Sequence, residues 1–383
     1  MGAELSEYVE GRTRLLVPSG SLSSPAPPAA PAFFNPHARL GRDVTVLLCG
    51  ALRQLAPPPH NYLDALAGVG ARGLRVLVEA GMDFAHLNDL NPYAIELAKE
   101  AARLNGVEAR CSFTVEEAVY LMAERARRGE RFLVVDIDPF GSPAPFLEAG
   151  LRAVRLGGVL AFSATDTAAL MGLHPLVAKR RYGGTSLRCE EAREIAVRLL
   201  YGASAQAAMR LEGGIRPLFA HVTRHYIRAF VAFERGAARA DEAAKGMGYY
   251  VRCAAGLHRY ASEEPPAACA SCGREVSRAG PLWIGPLFDA RLLSEALARM
   301  PRGAYPQAER LLATALQEAG LPVGYYTLAE LGRRLRRSSP PLQGLLQLLA
   351  EGGWRSARTS LDPTGLRTEA PPEALLEAAL KLP

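Results

Sequence analysis

No continuous apolar segment in this chain reaches the roughly 18 residues that a membrane-spanning helix needs, so no bilayer crossing is expected. Six cysteines in 383 residues do not make a disulfide framework. Cys49, Cys111 and Cys189 stand apart and read as small buried apolar groups. The stretch from Met1 to Glu10 has three acidic residues and no basic one, unlike a secretory leader, which with the missing span predicts a soluble cytoplasmic protein. There is no internal repeat. Acidic and basic residues nearly balance, 39 against 45, so there is no polycationic tail. Three local basic runs remain: Lys179-Arg180-Arg181, Arg125 with Arg127 and Arg128, and Arg333-Arg334 with Arg336-Arg337. Each suits phosphates, although charge runs are more often solvated faces.

What is present is a chain 49% hydrophobic and longer than one core supports, which predicts two domains. Arg12 to Val17 reads as a strand and Ser19 to Pro31 as an extended loop. From Asn61 onward, strand and helix patterns alternate. Strands are expected at Tyr62 to Leu66, Ala85 to Asn88, Cys111 to Val115, Phe132 to Asp136 and Val159 to Ser163, with helices between them. Such alternation specifies an α/β fold, a parallel sheet covered by helices on both faces. Arg216 to His221 and Tyr226 to Phe233 read as late strands, and Gly236 to Gly248 as a linker. The domains are therefore placed at residues 1–235 and 236–383. In the second, two short helices, a Gly turn and the strand-like Trp354 to Thr359 fit a winged helix-turn-helix or a plain helical bundle.

The stretch organising the chain is Phe132 to Gly141, where a buried strand runs into Asp138-Pro139-Phe140-Gly141. Pro139 stops any ladder, so Asp138 is delivered to a loop at the carboxyl end of a strand, where α/β folds bind ligands. A second turn, Asp64 to Gly73, carries Gly68, Gly70 and Gly73 in the spacing of a dinucleotide fingerprint. That spacing alone serves a nicotinamide cofactor or S-adenosylmethionine. Asp64 would repel a pyrophosphate and suits the cationic end of S-adenosylmethionine. Asp89, after the next strand, is placed for ribose hydroxyls, and Glu117 for an adenine amino group. Asp138 and its neighbours then favour methyl transfer to the exocyclic amine of a base. The amine lone pair is delocalised into the ring until hydrogen bonds from its N–H groups localise it. Asp138 accepts one such bond and the proton, a carbonyl beside Pro139 accepts another, and Phe140 stacks on the extruded base. Asp138 as a simple helix cap is the bland alternative.

Phe33-Phe34-Asn35-Pro36 with Arg42-Asp43, Asp64 to Arg75, Asn88-Asp89, Asp138 to Gly141, Thr165-Asp166, His225 to Arg228, Gly280 to Trp283 and Asp362 to Thr368 occur in one order over nearly the whole chain. In this the chain resembles the tRNA (guanine-26) N2-dimethyltransferase family. The resemblance implies a class I S-adenosylmethionine-dependent methyltransferase core with a Rossmann-like sheet, a smaller α+β carboxy-terminal domain gripping tRNA, and methylation of guanosine N2. It also implies that Arg42, Arg72, Asp89, Glu117 and Ala118 line the cofactor site, that Asp138 is the catalytic carboxylate, and that Phe33 and Phe140 flank the guanine. A monomer is expected.

Cys269-Ala-Ser-Cys272 is half of a zinc knuckle, but its partner half, Cys253-Ala-Ala-Gly256, has Gly where a second Cys would stand. His258 offers a nitrogen, so a zinc site and a metal-free remnant both fit. The closing segment also departs from the family pattern, with no histidine near Thr359-Ser360-Leu361. Competing functions are an amino-methyltransferase for ribosomal RNA or DNA, a nicotinamide-dependent dehydrogenase, and a non-catalytic RNA-binding module.

Overall fold

The computed structural model describes residues 4–24, 30–223, 225–253 and 255–382. The amino-terminal part is a hairpin rather than the single expected strand: β1 (Leu5–Glu10) pairs antiparallel with β2 (Thr13–Pro18). Its turn needs Gly11, with φ of +61°, because a Cβ there would collide with the Glu79 carboxylate. Of the expected loop at Ser19 to Pro31, residues 25–29 lie outside the described residues, and Gly20–Ser23 forms one helical turn, α1.

The alternation then follows as α2 (Arg39–Leu55), β3 (Asn61–Asp64), α3 (Ala71–Val78), β4 (Phe84–Asn88), α4 (Pro92–Leu104), β5 (Cys111–Thr114), α5 (Ala118–Arg127), β6 (Phe132–Ile137), α6 (Leu147–Ala153) and β7 (Val154–Ala164). Helix α4 starts at Pro92 because Asn91 caps the Tyr93 N–H at 3.0 Å and Pro92 takes the first helical position. Strand β7 starts five residues before the expected Val159: Val154 pairs with Phe132, and the register then shifts before Val159 pairs with Val134.

After α7 (Thr167–Leu170), α8 (Pro175–Tyr182) and α9 (Ala192–Met209) come β8 (Gly213–Val222) and β9 (Ile227–Arg235). The sheet order is β5-β4-β3-β6-β7-β9-β8, with β5 to β7 joined by parallel pairings. The order reverses between β3 and β6, which makes their carboxyl ends the topological switch point where such sheets bind ligands. Asp64 ends β3, and Asp138 follows β6.

Contacts divide the chain into two compact units, Met1–Ala164 with Phe230–Arg235 and Arg291–Arg310, and Thr165–Ala229 with Gly236–Ala290 and Leu311–Pro383. In the first, hairpin and helices lock through buried charges. Glu10 accepts from Arg42 at 2.6 Å and from Arg75 at 2.7 Å, and Arg75 also reaches Asp43 at 2.7 Å and Glu79 at 2.8 Å. Tyr305 donates to Glu79 at 2.7 Å. Burial opposes ionisation of Glu10, yet the Arg42 and Arg75 guanidinium groups hold its pKa below the ordinary value.

In the second unit, the stretch expected to be a linker contains the helix α10 (Ala237–Lys245), with Ala243 buried. The linker reading fails because small residues there pack a helix: a Cβ on Gly214 of β8 would meet the Arg239 carbonyl and Ala243. A three-stranded sheet of β10 (Met247–Arg252), β11 (Arg259–Ser262) and β12 (Ser277–Trp283) follows, in the order β11-β10-β12. After α11 (Ala290–Arg299) and the start of α12 (Pro306–Glu318), which belong to the first unit, come β13 (Tyr326–Thr327), α13 (Leu328–Leu335), α14 (Leu342–Glu351), β14 (Ser356–Arg358), β15 (Gly365–Thr368) and α15 (Pro372–Leu380). The sheet order β13-β15-β14 with two helices between the first and second strands has the connectivity of a winged helix. Leu331, Leu345, Leu349, Leu366 and Leu375 form its core. A buried chain of charges crosses this unit, from Arg198 through Glu194 and Arg367 to Glu318, with the successive pairs 2.8, 3.0 and 3.0 Å apart. No helix among the described residues is long and apolar enough to cross a membrane.

Removing one partner of a buried ion network strands the others without water. Arg75→Ala leaves Glu10, Asp43 and Glu79 in that position and is expected to lower the unfolding free energy by about 3–5 kcal/mol. Urea denaturation measures this; an unchanged midpoint would mean that the network contributes nothing.

Candidate active site

All six residues of β6 are buried, and Asp138 emerges just past them with its side chain 35% exposed. Asp64 pairs in register with Asp136, so with period two along each strand Tyr62, Asp64 and Asp136 share one face of the sheet. The Tyr62 hydroxyl donates to Asp136 Oδ2. Arg72, from the first turn of α3, lies against these acids. Its Nη2 donates to Asp138 Oδ2, its Nε is 3.8 Å from Asp136 Oδ1, and its Nη1 donates to Thr45 Oγ1 of α2 at 3.1 Å.

One buried guanidinium thus faces three carboxylates. Burial alone would discharge Arg72, but the charges of Asp138 and Asp136 outweigh it and hold the group protonated. Asp64 lacks such direct compensation. Burial and the neighbouring Asp136 charge push its pKa up to about 7, against the attraction of Arg72 and the Gly73 N–H. Tyr62 is likewise pushed upward, first by burial and then by Asp136.

The glycine turn is held by these strand ends. Asp64 Oδ2 accepts from Gly73 N at 3.0 Å, Asp89 Oδ2 from Gly68 N at 2.7 Å, and the Asn88 carbonyl from Ala67 N at 2.7 Å. Gly68 and Gly70 have φ of +53° and +78°, and a Cβ on Gly70 would press on Ala98 and Leu87. Asp89 Oδ1 accepts from Asn91 N at 2.9 Å, which fixes the plane of the carboxylate. Glu117 caps α5, taking Val119 N at 3.0 Å and Tyr120 N at 2.7 Å, and Ala118 is the buried first residue of that helix. A cradle of bare backbone at a helix start, with acids at the ends of β3 and β4, fits an adenosyl cofactor with a cationic end.

The expected aromatic walls meet each other. Phe33 and Phe140 are in edge-to-face contact, with centroids 4.8 Å apart and planes at 80°. A base sandwiched between two rings needs about 7 Å, two stacking distances of about 3.5 Å, so flanking requires one ring to move. Phe140 is 68% exposed and has the freedom to do so. Arg42 is engaged elsewhere: it is buried, doubly hydrogen-bonded to Glu10, and donates to the Asn35 carbonyl at 3.0 Å.

Sequence reading did not find the Arg72–Asp138 pair, the Tyr62–Asp136 hydrogen bond or the role of Asn88, whose side chain donates to the carbonyls of Ala65 at 3.0 Å and Glu116 at 2.9 Å. The available signal was the period-two spacing of Tyr62 and Asp64 beside that of Asp136 and Asp138.

In the second unit the donor atoms of Cys253, His258, Cys269 and Cys272 all lie within 4.8 Å of one another. Cys253 Sγ is 3.5 Å from Cys272 Sγ, and Cys269 Sγ is 3.4 Å from His258 Nδ1. A tetrahedral site with Zn–S near 2.3 Å has ligand edges of about 3.8 Å, so the cluster matches zinc in both donor set and size. Gly256 makes room for the His258 ring: a Cβ there would collide with it. Ala254 lies outside the described residues. Hydrogen bonds from the backbone of Ser271 and Cys272 outweigh burial and bring the Cys269 thiol down to about 7.

A family model described as N2,N2-dimethylguanosine tRNA methyltransferase matches residues 11–380. Among curated relatives, a tRNA (guanine(26)-N(2))-dimethyltransferase of Methanopyrus kandleri is 38% identical, covering 97% of this chain and 95% of its own length. The protein of the same name from Pyrococcus furiosus is 34% identical, with both chains covered completely. Among solved structures, Trm1 from Pyrococcus horikoshii in complex with S-adenosyl-L-methionine superposes with a TM-score of 0.84 at 31% identity, covering 98% of this chain and 99% of that one.

The raised pKa of Asp64 sets a pH signature. A carboxyl whose pKa is higher folded than unfolded favours the folded state most fully below its unfolded value near 4, and that contribution is lost as pH rises to about 7. The stability of the wild type relative to Asp64→Asn is therefore expected to fall from pH 4 to pH 7 and then level off. Denaturation at a series of pH values measures it; a flat difference would contradict the buried-acid assignment.

Proposed function

The chain belongs to the N2,N2-dimethylguanosine tRNA methyltransferase family, and on that premise we propose how its residues carry out the family's reaction. It is an S-adenosylmethionine-dependent enzyme that methylates N2 of guanosine 26 in tRNA. S-adenosylmethionine supplies the methyl group. The observation that carries the residue assignment is Asp138 standing half-exposed at the switch point of the sheet with Arg72 fixed on Oδ2.

Asp138 accepts a hydrogen bond from the guanine amine. That bond holds the lone pair on N2 instead of letting it spread into the ring, and the same carboxylate takes up the N2 proton as the new N–C bond forms. Arg72 orients Asp138 through its hydrogen bond to Oδ2. Phe140 swings from its contact with Phe33 and the two rings flank the base. Asp64 and Asp89 shape the glycine turn from below, Asp89 takes the ribose hydroxyls, Gly68 and Gly70 give backbone access, and Glu117 and Ala118 border the adenine. Arg42 acts on the cofactor side through the Asn35 carbonyl that it holds.

Residues 1–235 form the methyltransferase domain with its amino-terminal extension, and residues 236–383 the tRNA-binding domain. Cys253, His258, Cys269 and Cys272 hold one structural zinc ion that clamps the turn before β11 to the knuckle. The enzyme works as a cytoplasmic monomer.

Incubation with unmodified tRNA and S-adenosylmethionine, followed by nucleoside mass spectrometry, is expected to give N2-methyl- and N2,N2-dimethylguanosine; cofactor binding without methylated guanosine would refute the assignment. Asp138→Ala is expected to lower kcat by at least about 100-fold with cofactor affinity unchanged. Loss of cofactor binding instead would move Asp138 out of the catalytic role. Metal analysis is expected to find one zinc per chain, absent from Cys269→Ser. A wild-type protein that neither contains zinc nor takes it up would refute the site.

A further inference from the structure

The segment from Thr167 to Cys189 contains no acidic residue and four basic ones, Lys179, Arg180, Arg181 and Arg188. Within it, α8 turns an unusual face outward. Ala178 and Tyr182 are buried, whereas Leu176, Lys179 and Arg180, spaced three and four residues apart, share the exposed side. Leu176 is 73% exposed and Leu173, just before the helix, 54%. Isolated exposed leucines are ordinary, but two set beside unneutralised cations form a patch with a definite chemistry.

The other basic runs are largely occupied. Arg125 pairs with Glu130 and Arg128 with Glu124, while Arg333 pairs with Glu190 and Arg334 and Arg337 donate to backbone carbonyls. In the α8 run, only Arg181 is tied back, to Asp166 at 2.7 Å; Lys179 and Arg180 have no hydrogen-bond or ion-pair partner among the described residues.

The support beneath this face is rigid. Tyr182 donates to Asp166 at 2.6 Å, and Ser186 to the Ala169 carbonyl at 2.7 Å. A Cβ on Gly172 would strike the Leu187–Arg188 backbone, one on Gly183 the Gln206 amide, and one on Gly184 the Pro281 carbonyl. Gly172 thereby brings exposed Arg188 beside Leu173. Cations and apolar side chains held on a fixed support suit a polyanion with apolar faces between its charges, and an RNA backbone with its riboses and bases has that character.

We propose that α8 is a tRNA grip, in which Lys179, Arg180 and Arg188 meet backbone phosphates and Leu173 and Leu176 pack on the sugars and base edges between them. The proposal rests on the tRNA reading above and adds a tRNA contact outside residues 236–383. The face could also meet an anionic membrane, but a rigid eight-residue helix with one exposed leucine offers little to insert.

The test is tRNA binding by the full-length Lys179→Ala/Arg180→Ala protein across a salt series. Two lost phosphate contacts are expected to weaken binding and to lower the slope of log K against log salt by about 1.4–1.8. Cofactor affinity and melting temperature stay at wild-type values, and Arg127→Ala/Arg336→Ala leaves the slope unchanged. Leu176→Ser is expected to weaken tRNA binding without altering the salt slope. An unchanged slope in the folded double variant overturns the grip, as does unchanged tRNA binding combined with lost binding to phosphatidylserine vesicles. Wild-type methylation of the same tRNA is measured alongside: if the wild type binds but forms no methylguanosine, the proposed function fails, while the slope still decides the grip.

Discussion

One guanidinium held among three carboxylates is the constraint on which the ends of β3 and β6 depend. Asp64, Asp136 and Asp138 arrive together because two parallel strands end side by side, and Arg72 lies against them at close range. Leaving a carboxylate buried and charged costs several kcal/mol, and in this cluster burial and the Asp136 charge raise the pKa of Asp64. Asp138 keeps the direct hydrogen bond from Arg72, Asp136 takes the Tyr62 hydroxyl, and Asp64 rises to a pKa of about 7. The three carboxylates thereby sit in different environments, with Asp138 the one that reaches solvent.

The same constraint explains why α3 must start where it does. The turn after Asp64 that leads to Arg72 uses left-handed glycines at 68 and 70, and a Cβ on Gly70 would press between α4 and β4. The glycine turn and the placement of Asp138 are therefore one piece of backbone geometry. Arg75, one turn further along α3, ties the same helix to the amino-terminal hairpin through Glu10, so a peripheral element stabilises the position of the site.

The parts of this arrangement that follow local rules were readable from the sequence. Apolar runs and their spacing gave β3 to β6, and Pro139 put Asp138 in a loop. What could not be read depends on pairs far apart in the chain: Glu10 with Arg42 and Arg75, Arg72 with Asp138, Glu194 with Arg367. Such pairs have no periodic signature, and each residue by itself looks like a solvated charge. The linker reading of Gly236 to Gly248 failed for a related reason. Alanines and charges without a wide apolar stripe still form a helix when a glycine on β8 lets its backbone come close. His258 was an uncertain ligand by spacing alone, and folding brings its Nδ1 to 3.4 Å from Cys269 Sγ.

The central claim is that Asp138, oriented by Arg72, takes the guanine amine. The most direct measurement is a structure of the enzyme with tRNA and S-adenosylhomocysteine, read for the distance from the Asp138 carboxylate to guanine N2. The account predicts a hydrogen bond of about 2.7–3.2 Å, with Arg72 still on Asp138 and the Phe33 and Phe140 rings parted around the base. A guanine whose N2 is held by other groups, with Asp138 out of hydrogen-bond reach, would contradict it.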